Sequence, residues 1–167
     1  KEGEERFSLA VQGTNDGIWD WQVKTNTVYY SPRWKAMIGY TDDEIPNRFE
    51  EWSARIHPDD ADETMAALNA HLAGQTPFFE REIRLRHKDG SYRWILTRGA
   101  TVRDREGRPV RMAGSHTDIT ERKRVNEELI EREAQYRSIY EATTDGLIIT
   151  QLDGAIVEAN PAACAMR

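Results

Sequence analysis

Phe78-Phe79-Glu80-Arg81-Glu82-Ile83-Arg84-Leu85-Arg86-His87-Lys88-Asp89-Gly90-Ser91-Tyr92-Arg93-Trp94-Ile95-Leu96-Thr97-Arg98 is the stretch that decides the class of fold. Apolar residues alternate with charged ones on both sides of Lys88-Asp89-Gly90-Ser91, and Asp-Gly supplies the positive backbone φ that a tight hairpin turn needs. Two strands are expected, over 78–87 and 92–103. Residues 104–109, with Gly107, connect to a third strand over 110–118. The alternation aims Phe79, Ile83 and Leu85, together with Trp94 and Leu96, at the inward face of a sheet. Arg81 and Arg98 share those parities, so each sits at the sheet edge, pairs with an acid or faces an anionic ligand.

Working outward, residues 18–23 alternate and place Trp19, Trp21 and Val23 on one strand face. Lys24-Thr25-Asn26 reads as a turn, and 27–30 as a second short strand. Ser31-Pro32 caps a helix through Ile38 that Gly39 ends. Short helical pieces are expected at 42–45 and 49–55. His57-Pro58-Asp59-Asp60 then opens a longer helix to 73, with Ala61, Met65, Leu68 and Leu72 on one stripe and Gly74 at its close. A first helix over 4–12 turns Phe7, Ala10 and Val11 inward. Two strands, several helices and a three-stranded meander make an α+β domain, with one antiparallel sheet and helices over one face.

Composition narrows the function classes. In 167 residues, 23 basic side chains face 29 acidic ones, a formal charge of −6 that argues against wholesale binding of nucleic acid or anionic membranes. No apolar run approaches the roughly 18 residues of a membrane helix, and Lys1-Glu2-Gly3-Glu4 has no signal-peptide pattern. A single cysteine, Cys164, forms no internal disulfide and no multi-cysteine metal site. A cytoplasmic setting is the expectation.

The chain also repeats itself. Shifting by 129 positions, the step from Asp16 to Asp145, aligns Thr14, Asp16-Gly17 and Val28 with Thr143, Asp145-Gly146 and Val157. The same step sets Ile18 on Leu147, Val23 on Leu152 and Ser31-Pro32 on Asn160-Pro161. Residues 143–167 are therefore expected to be the truncated beginning of a second domain, or else an extension packed on the first. Between the copies, 119–142 is polar and helical, with Glu128/Arg132 and Glu133/Arg137 four residues apart. Ile119, Leu129, Tyr136 and Tyr140 fit a heptad seam that Arg122, Asn126 and Glu133 interrupt. Both a solvated connecting helix and a weak coiled coil satisfy that pattern.

Trp19-Asp20-Trp21, Tyr30-Ser31-Pro32-Arg33-Trp34 and Ile38-Gly39-Tyr40 resemble the front of a PAS sensor domain. His57-Pro58-Asp59-Asp60 resembles the family's mid-domain turn. Glu82-Ile83-Arg84-Leu85, Asp89-Gly90-Ser91-Tyr92-Arg93-Trp94 and Asp104-Arg105-Glu106-Gly107-Arg108-Pro109 are similar to its PAC-type half, and Asp118-Ile119-Thr120 to its closing motif. The resemblance covers about residues 4–123, and the repeat resembles the start of another PAS domain. It implies a five-stranded antiparallel sheet flanked by helices, a ligand cavity and output through the terminal helix. The corresponding organisation is a sensor domain over 4–118, a connecting signalling helix over 119–142 and the second domain's front over 143–167.

The candidate sites follow. Trp19, Trp21, Trp34, Ile83, Leu85, Trp94 and Leu96 line a ligand pocket or simply fill the core. Arg98, Asp118, Ile119 and Thr120 are signal-relay candidates where the last strand becomes the helix, with Asp118 capping that helix or pairing with an arginine such as Arg98. His57 starts a helix rather than holding a metal. His71, on the helix where some PAS proteins hold haem iron, falls beside the apolar row, and His116 with Asp118 makes too few ligands for a metal.

No cofactor is expected: haem is disfavoured, and so is covalent flavin, whose cysteine motif is absent from the long helix. An unknown small ligand stays open. The chain contains no phosphate loop, dinucleotide glycine pattern, nucleophile elbow or zinc-protease helix, so any kinase or cyclic-dinucleotide activity is expected outside it. The reading is a sensory and dimerisation module of a bacterial-type signalling protein. Its expected partners are a second copy, met through helical elements, and an effector domain downstream in the same polypeptide. The alternatives are a ligand-free scaffold and dimer spacer, or a haem or flavin redox sensor.

Overall fold

The computed structural model describes residues 2–166, apart from the side chains at 4, 7 and 8. The inward placement expected of Phe7 lies outside those described residues. The chain separates into two compact units, residues 1–121 and 122–167.

In the first unit, helix α1 (Glu2–Thr14) runs past Gly13 and ends where Asn15 adopts a left-handed φ of 56°. Its Ala10 is exposed, against expectation, and Val11 only half-buried. Strands β1 (Gly17–Gln22) and β2 (Thr27–Tyr30) form the first hairpin. Helices α2 (Pro32–Met37), α3 (Glu50–Ser53) and α4 (Pro58–Leu72) follow, with one 3-10 turn at Asp42–Glu44. Strands β3 (Phe79–Arg86), β4 (Tyr92–Arg103) and β5 (Pro109–Asp118) complete a five-stranded antiparallel sheet in the order β2-β1-β5-β4-β3. This is the α+β arrangement expected, with Trp34, Met37, Ile38, Trp52 and Leu68 packed from the helices onto one face.

Register settles which side chains face that core. Ile83 lies opposite Ile95, Thr97 opposite His116, and Gly99 opposite Gly114. Trp19 meets Gly114 across β1–β5. The inner face of β4 is therefore Ile95, Thr97 and Gly99, and Trp94 and Leu96 point to the other face, which corrects the expected parity. The reason is steric: a Cβ on either Gly99 or Gly114 would stand 2.6 Å from Cζ2 of Trp19. The tryptophan ring occupies the room of two missing side chains, so the glycine parity has to face inward. Arg98 goes to the outer face and pairs with Glu80 at 2.7 Å, while inward-facing Arg81 reaches Glu63 of α4 at 2.8 Å.

Asp60 anchors α4 to the sheet. Its carboxylate accepts from Arg84 Nε at 2.9 Å, Arg84 Nη2 at 2.7 Å and the Arg84 backbone N–H at 3.0 Å. The buried stripe of α4 is Thr64, Leu68 and His71, with Ala61, Met65 and Leu72 only partly covered. His71 is thus within the inward row, contrary to its expected place beside it.

The second unit holds most of helix α5 (Thr120–Ala142), the hairpin of β6 (Ile148–Thr150) and β7 (Ile156–Ala159), and helix α6 (Pro161–Ala165). On α5, Glu133 pairs with Arg137 at 3.3 Å, and Glu128 pairs back to Arg124. The repeat is structural as well as textual. Ser31 Oγ accepts from the backbone N–H of Ile18 (2.9 Å) and Trp34 (3.2 Å). Asn160 Oδ1 accepts from Leu147 and Ala163, each 129 residues further on, both at 2.9 Å.

Candidate functional site

A cavity of about 30 Å³ lies between the inner sheet face and the helices. Trp19, Trp52, Leu68, Phe79, Thr97 and His116 contribute to its wall. Of the residues expected to line a pocket, Trp19 and Trp21 do so. Trp34, Ile83 and Leu85 are buried in the surrounding core, and Trp94 and Leu96 lie on the opposite face of the sheet. Sequence reasoning missed Trp52, Thr97 and His116. The first sits on a four-residue helix too short for periodicity, and the other two follow once Gly99 and Gly114 are recognised as core-facing.

The cavity wall is almost entirely apolar. Trp19 Nε1, Trp52 Nε1 and Thr97 Oγ1 are buried without a hydrogen-bond partner among the described residues. Trp21 Nε1, by contrast, donates to Asn26 Oδ1 at 3.1 Å, and the Tyr30 hydroxyl donates to the Arg48 carbonyl at 2.9 Å. Burial pushes the Tyr30 hydroxyl pKa up. The same desolvation lowers that of His116 to about 3, so its imidazole is neutral and offers one donor and one acceptor. Its ring lies 5.6 Å from Trp34 and 6.3 Å from Trp19.

The second element of the site is the junction of β5 and α5. Asp118 Oδ1 accepts from the Thr120 N–H at 2.9 Å, as a helix cap does. Ile119 is buried, and its N–H donates to the Trp94 carbonyl at 2.9 Å. The Trp94 N–H in turn donates to Thr120 Oγ1 at 3.0 Å. Ile119 and Thr120 therefore both bond to Trp94 while Asp118 caps Thr120, and Arg98 is engaged with Glu80, a correction to the suggested Arg98–Asp118 pair. Arg84 lies 5.3 Å over the Trp94 ring, linking this junction to Asp60 and the first turn of α4. The Arg84 hydrogen bonds hold the Asp60 carboxyl below the usual range.

Both nitrogens of His71 are engaged, Nδ1 with Thr76 at 3.0 and 3.1 Å and Nε2 with Thr101 Oγ1 at 2.9 Å. They fasten the end of α4 to β4 and leave no lone pair for a metal. His57 Nδ1 accepts from the Asp59 N–H at 3.1 Å, a capping role. Among the described residues, no three His, Cys, Asp or Glu side chains converge as metal ligands. No helix among them is long and apolar enough to cross a membrane.

The model of the PAS fold family matches residues 27–116, more than half of the chain. The chain belongs to the PAS family. A second PAS-domain model matches residues 134–166, the region of the repeat, so a second PAS domain begins there. The chain is similar to the crystal structure of a sensory box histidine kinase/response regulator from Burkholderia thailandensis. The two are 42% identical with a TM-score of 0.69, over 79% of this chain and 98% of that one.

Among curated relatives, sensor protein FixL of Bradyrhizobium diazoefficiens is 27% identical over 152 residues, 91% of this chain and 30% of that protein. The probable diguanylate cyclase DgcE of Escherichia coli is 26% identical over 159 residues, 95% of this chain and 14% of that protein. The chain thus spans less than a third of either curated relative. These relatives are signal-transduction proteins: a sensor protein, a probable diguanylate cyclase and a sensory box histidine kinase/response regulator.

Proposed function

We propose that this chain is a non-catalytic sensory module, in which a change in the PAS core is passed through Asp118-Ile119-Thr120 to α5 and to an effector domain in the same polypeptide. The observation that carries the reading is the convergence of the junction on Trp94. Two hydrogen bonds, Ile119 N–H to Trp94 O and Trp94 N–H to Thr120 Oγ1, join the start of the output helix directly to β4. The neighbouring residues on that strand, Ile95 and Thr97, face the core, and Thr97 lines the cavity. Displacement of β4 by occupancy of the cavity therefore acts on the first turn of α5 without an intermediate.

The cavity volume favours a compact ligand over a prosthetic group, since pockets for drug-sized molecules run to roughly 300–1,000 Å³. A volume of about 30 Å³ and a His71 with both ring nitrogens engaged support that reading over a haem or flavin sensor. Dimerisation through α5 belongs to the same proposal. Leu129 and Tyr136 of the heptad seam are exposed on a helix otherwise dominated by charge, as a coiled-coil seam is before it is paired. A cytoplasmic module with a second copy and a downstream effector as partners is the resulting picture.

The test uses Asp118→Ala and Thr120→Val in a polypeptide that retains its effector domain. The expected outcome is loss of signal-dependent output by about tenfold from a domain that stays folded, its thermal midpoint lowered by several degrees because each substitution removes one hydrogen bond of about 1 kcal/mol at the helix start. Unchanged output from a folded double variant sinks the relay. Sedimentation of the chain with and without Leu129→Glu reads the dimer: the substitution is expected to shift it to monomer.

A further inference from the structure

We infer that Asn160 is the residue through which the second PAS domain takes up movement of α5, so that this domain is the immediate receiver of the first domain's signal. This rests on the sensory reading and names its next recipient. Asn160 is inaccessible to solvent, and its side-chain amide uses its full bonding capacity. Oδ1 accepts from the N–H groups of Leu147, beside β6, and Ala163, in the first turn of α6, each at 2.9 Å. Nδ2 donates to the Tyr140 carbonyl at 3.1 Å and to the Asp145 carbonyl at 2.9 Å. One planar group therefore joins the end of α5, the segment that follows it, β6 and α6.

The two copies of the repeat show that this link exceeds capping. The last four carbonyls of a helix have no partner within its ladder. Tyr140 carries one of them in α5, and Val11, 129 positions earlier, carries its counterpart in α1. The Val11 carbonyl is satisfied inside its own helix, by the Thr14 hydroxyl at 3.1 Å. Ser31, which stands where Asn160 does, makes its two capping bonds and, among the described residues, none to α1. A hydroxyl serves the cap alone, whereas the amide serves both the cap and the incoming helix. The two donors that asparagine adds are what tie α5 to the domain that follows it.

Displacement of α5 along or about its axis moves the Tyr140 carbonyl. A buried donor left unpaired is costly, so Asn160 follows that carbonyl and carries Leu147 and Ala163 with it. Asn160 is a positioning residue: it acts through β6 and α6.

The test uses the full chain labelled with nitrogen-15. Thr120→Val removes the hydroxyl that meets the Trp94 N–H, a perturbation confined to the start of α5. It is expected to shift the Leu147, Ile148 and Ala163 amide signals. With Asn160→Ser also present, those shifts are expected to shrink at least about threefold. Serine keeps the capping acceptor, as Ser31 does in the first copy. Asn160→Asp keeps the acceptor and the side-chain shape and loses both donors, so it serves as the second variant if serine unfolds the repeat.

Equal shifts with and without the Asn160 substitution reduce the residue to a cap and overturn the inference. Absence of any shift at Leu147 and Ala163 in the Thr120→Val protein overturns it as well, and so does unfolding of residues 143–166 in both Asn160 variants. Output from the polypeptide that retains its effector domain keeps the two readings apart. Shifts that Asn160→Ser suppresses, with output unaffected by the Asp118 and Thr120 variants, sustain the link and refute the relay to the effector. Output lost in those variants without a shift at Leu147 sustains the relay and refutes Asn160 as its receiver.

Discussion

His116 holds a titratable ring where water does not reach, and burial lowers its pKa from 6.5 to about 3. In the unfolded chain the imidazole takes up a proton below about 6.5, whereas the folded protein refuses it until about pH 3. The unfolded state therefore binds more protons across that window, and stability falls as pH falls from about 6.5 towards 3. The slope due to this residue is at most about 1.4 kcal/mol per pH unit. Urea denaturation at pH 7.5, 6 and 5 should show it, and His116→Gln should flatten it over that range. Asp60 acts lower: its carboxyl pKa is depressed by Arg84, so its contribution is complete above about pH 4 and is lost only as pH drops through the folded value.

At the scale of elements, the same capping device appears twice. Ser31 Oγ joins the start of β1 to the first turn of α2, and Asn160 Oδ1 joins Leu147 to α6 with the same pair of N–H donors. Removing the hydroxyl orphans the Ile18 N–H as well as the helix donor, so Ser31→Ala is expected to cost about 2 kcal/mol. Ser31→Asn should recover most of that loss, because the second copy already performs the task with an asparagine; denaturant midpoints of the three proteins decide it. The caps were legible in the sequence, since Ser-Pro and Asn-Pro carry their own local chemistry. So were the strands 78–87, 92–103 and 110–118, which lie within a residue of the observed bounds at each end. The face of β4 was not legible. Trp94 and Leu96 are larger than Ile95 and Thr97, and side-chain size alone points to the wrong parity.

For the whole molecule, burial divides the two units. Ile83, Leu85, Ile95 and Met112 are inaccessible in the first, whereas Leu147, Ile148, Leu152, Ile156 and Val157 of the second are exposed. The first unit has a core to protect its backbone, and the hairpin of β6 and β7 has none of its own. Amide hydrogen exchange should therefore separate them by several orders of magnitude. Ile95 to Thr97 and Met112 to His116 should exchange only through global unfolding, and residues 148–159 within seconds to minutes. Slow exchange in that hairpin would show that its apolar faces are covered in solution.

The sequence by itself determined the α+β class, the order of the elements, their caps and turns, and the internal repeat. Each of these is written in residues adjacent along the chain: a glycine after a turn, a proline after a cap, or a period of two. Only the tertiary structure decided the register of β4 against β3 and β5, the seating of Trp19 over Gly99 and Gly114, and the assembly of Trp52, Thr97 and His116 around one cavity. Those residues come from positions 19 to 116, and their meeting depends on pairings between strands remote in sequence. A shift of one residue in any of these pairings would turn every side chain of that strand to the other face. Local pattern therefore specified which strands exist, and long-range packing specified what they enclose.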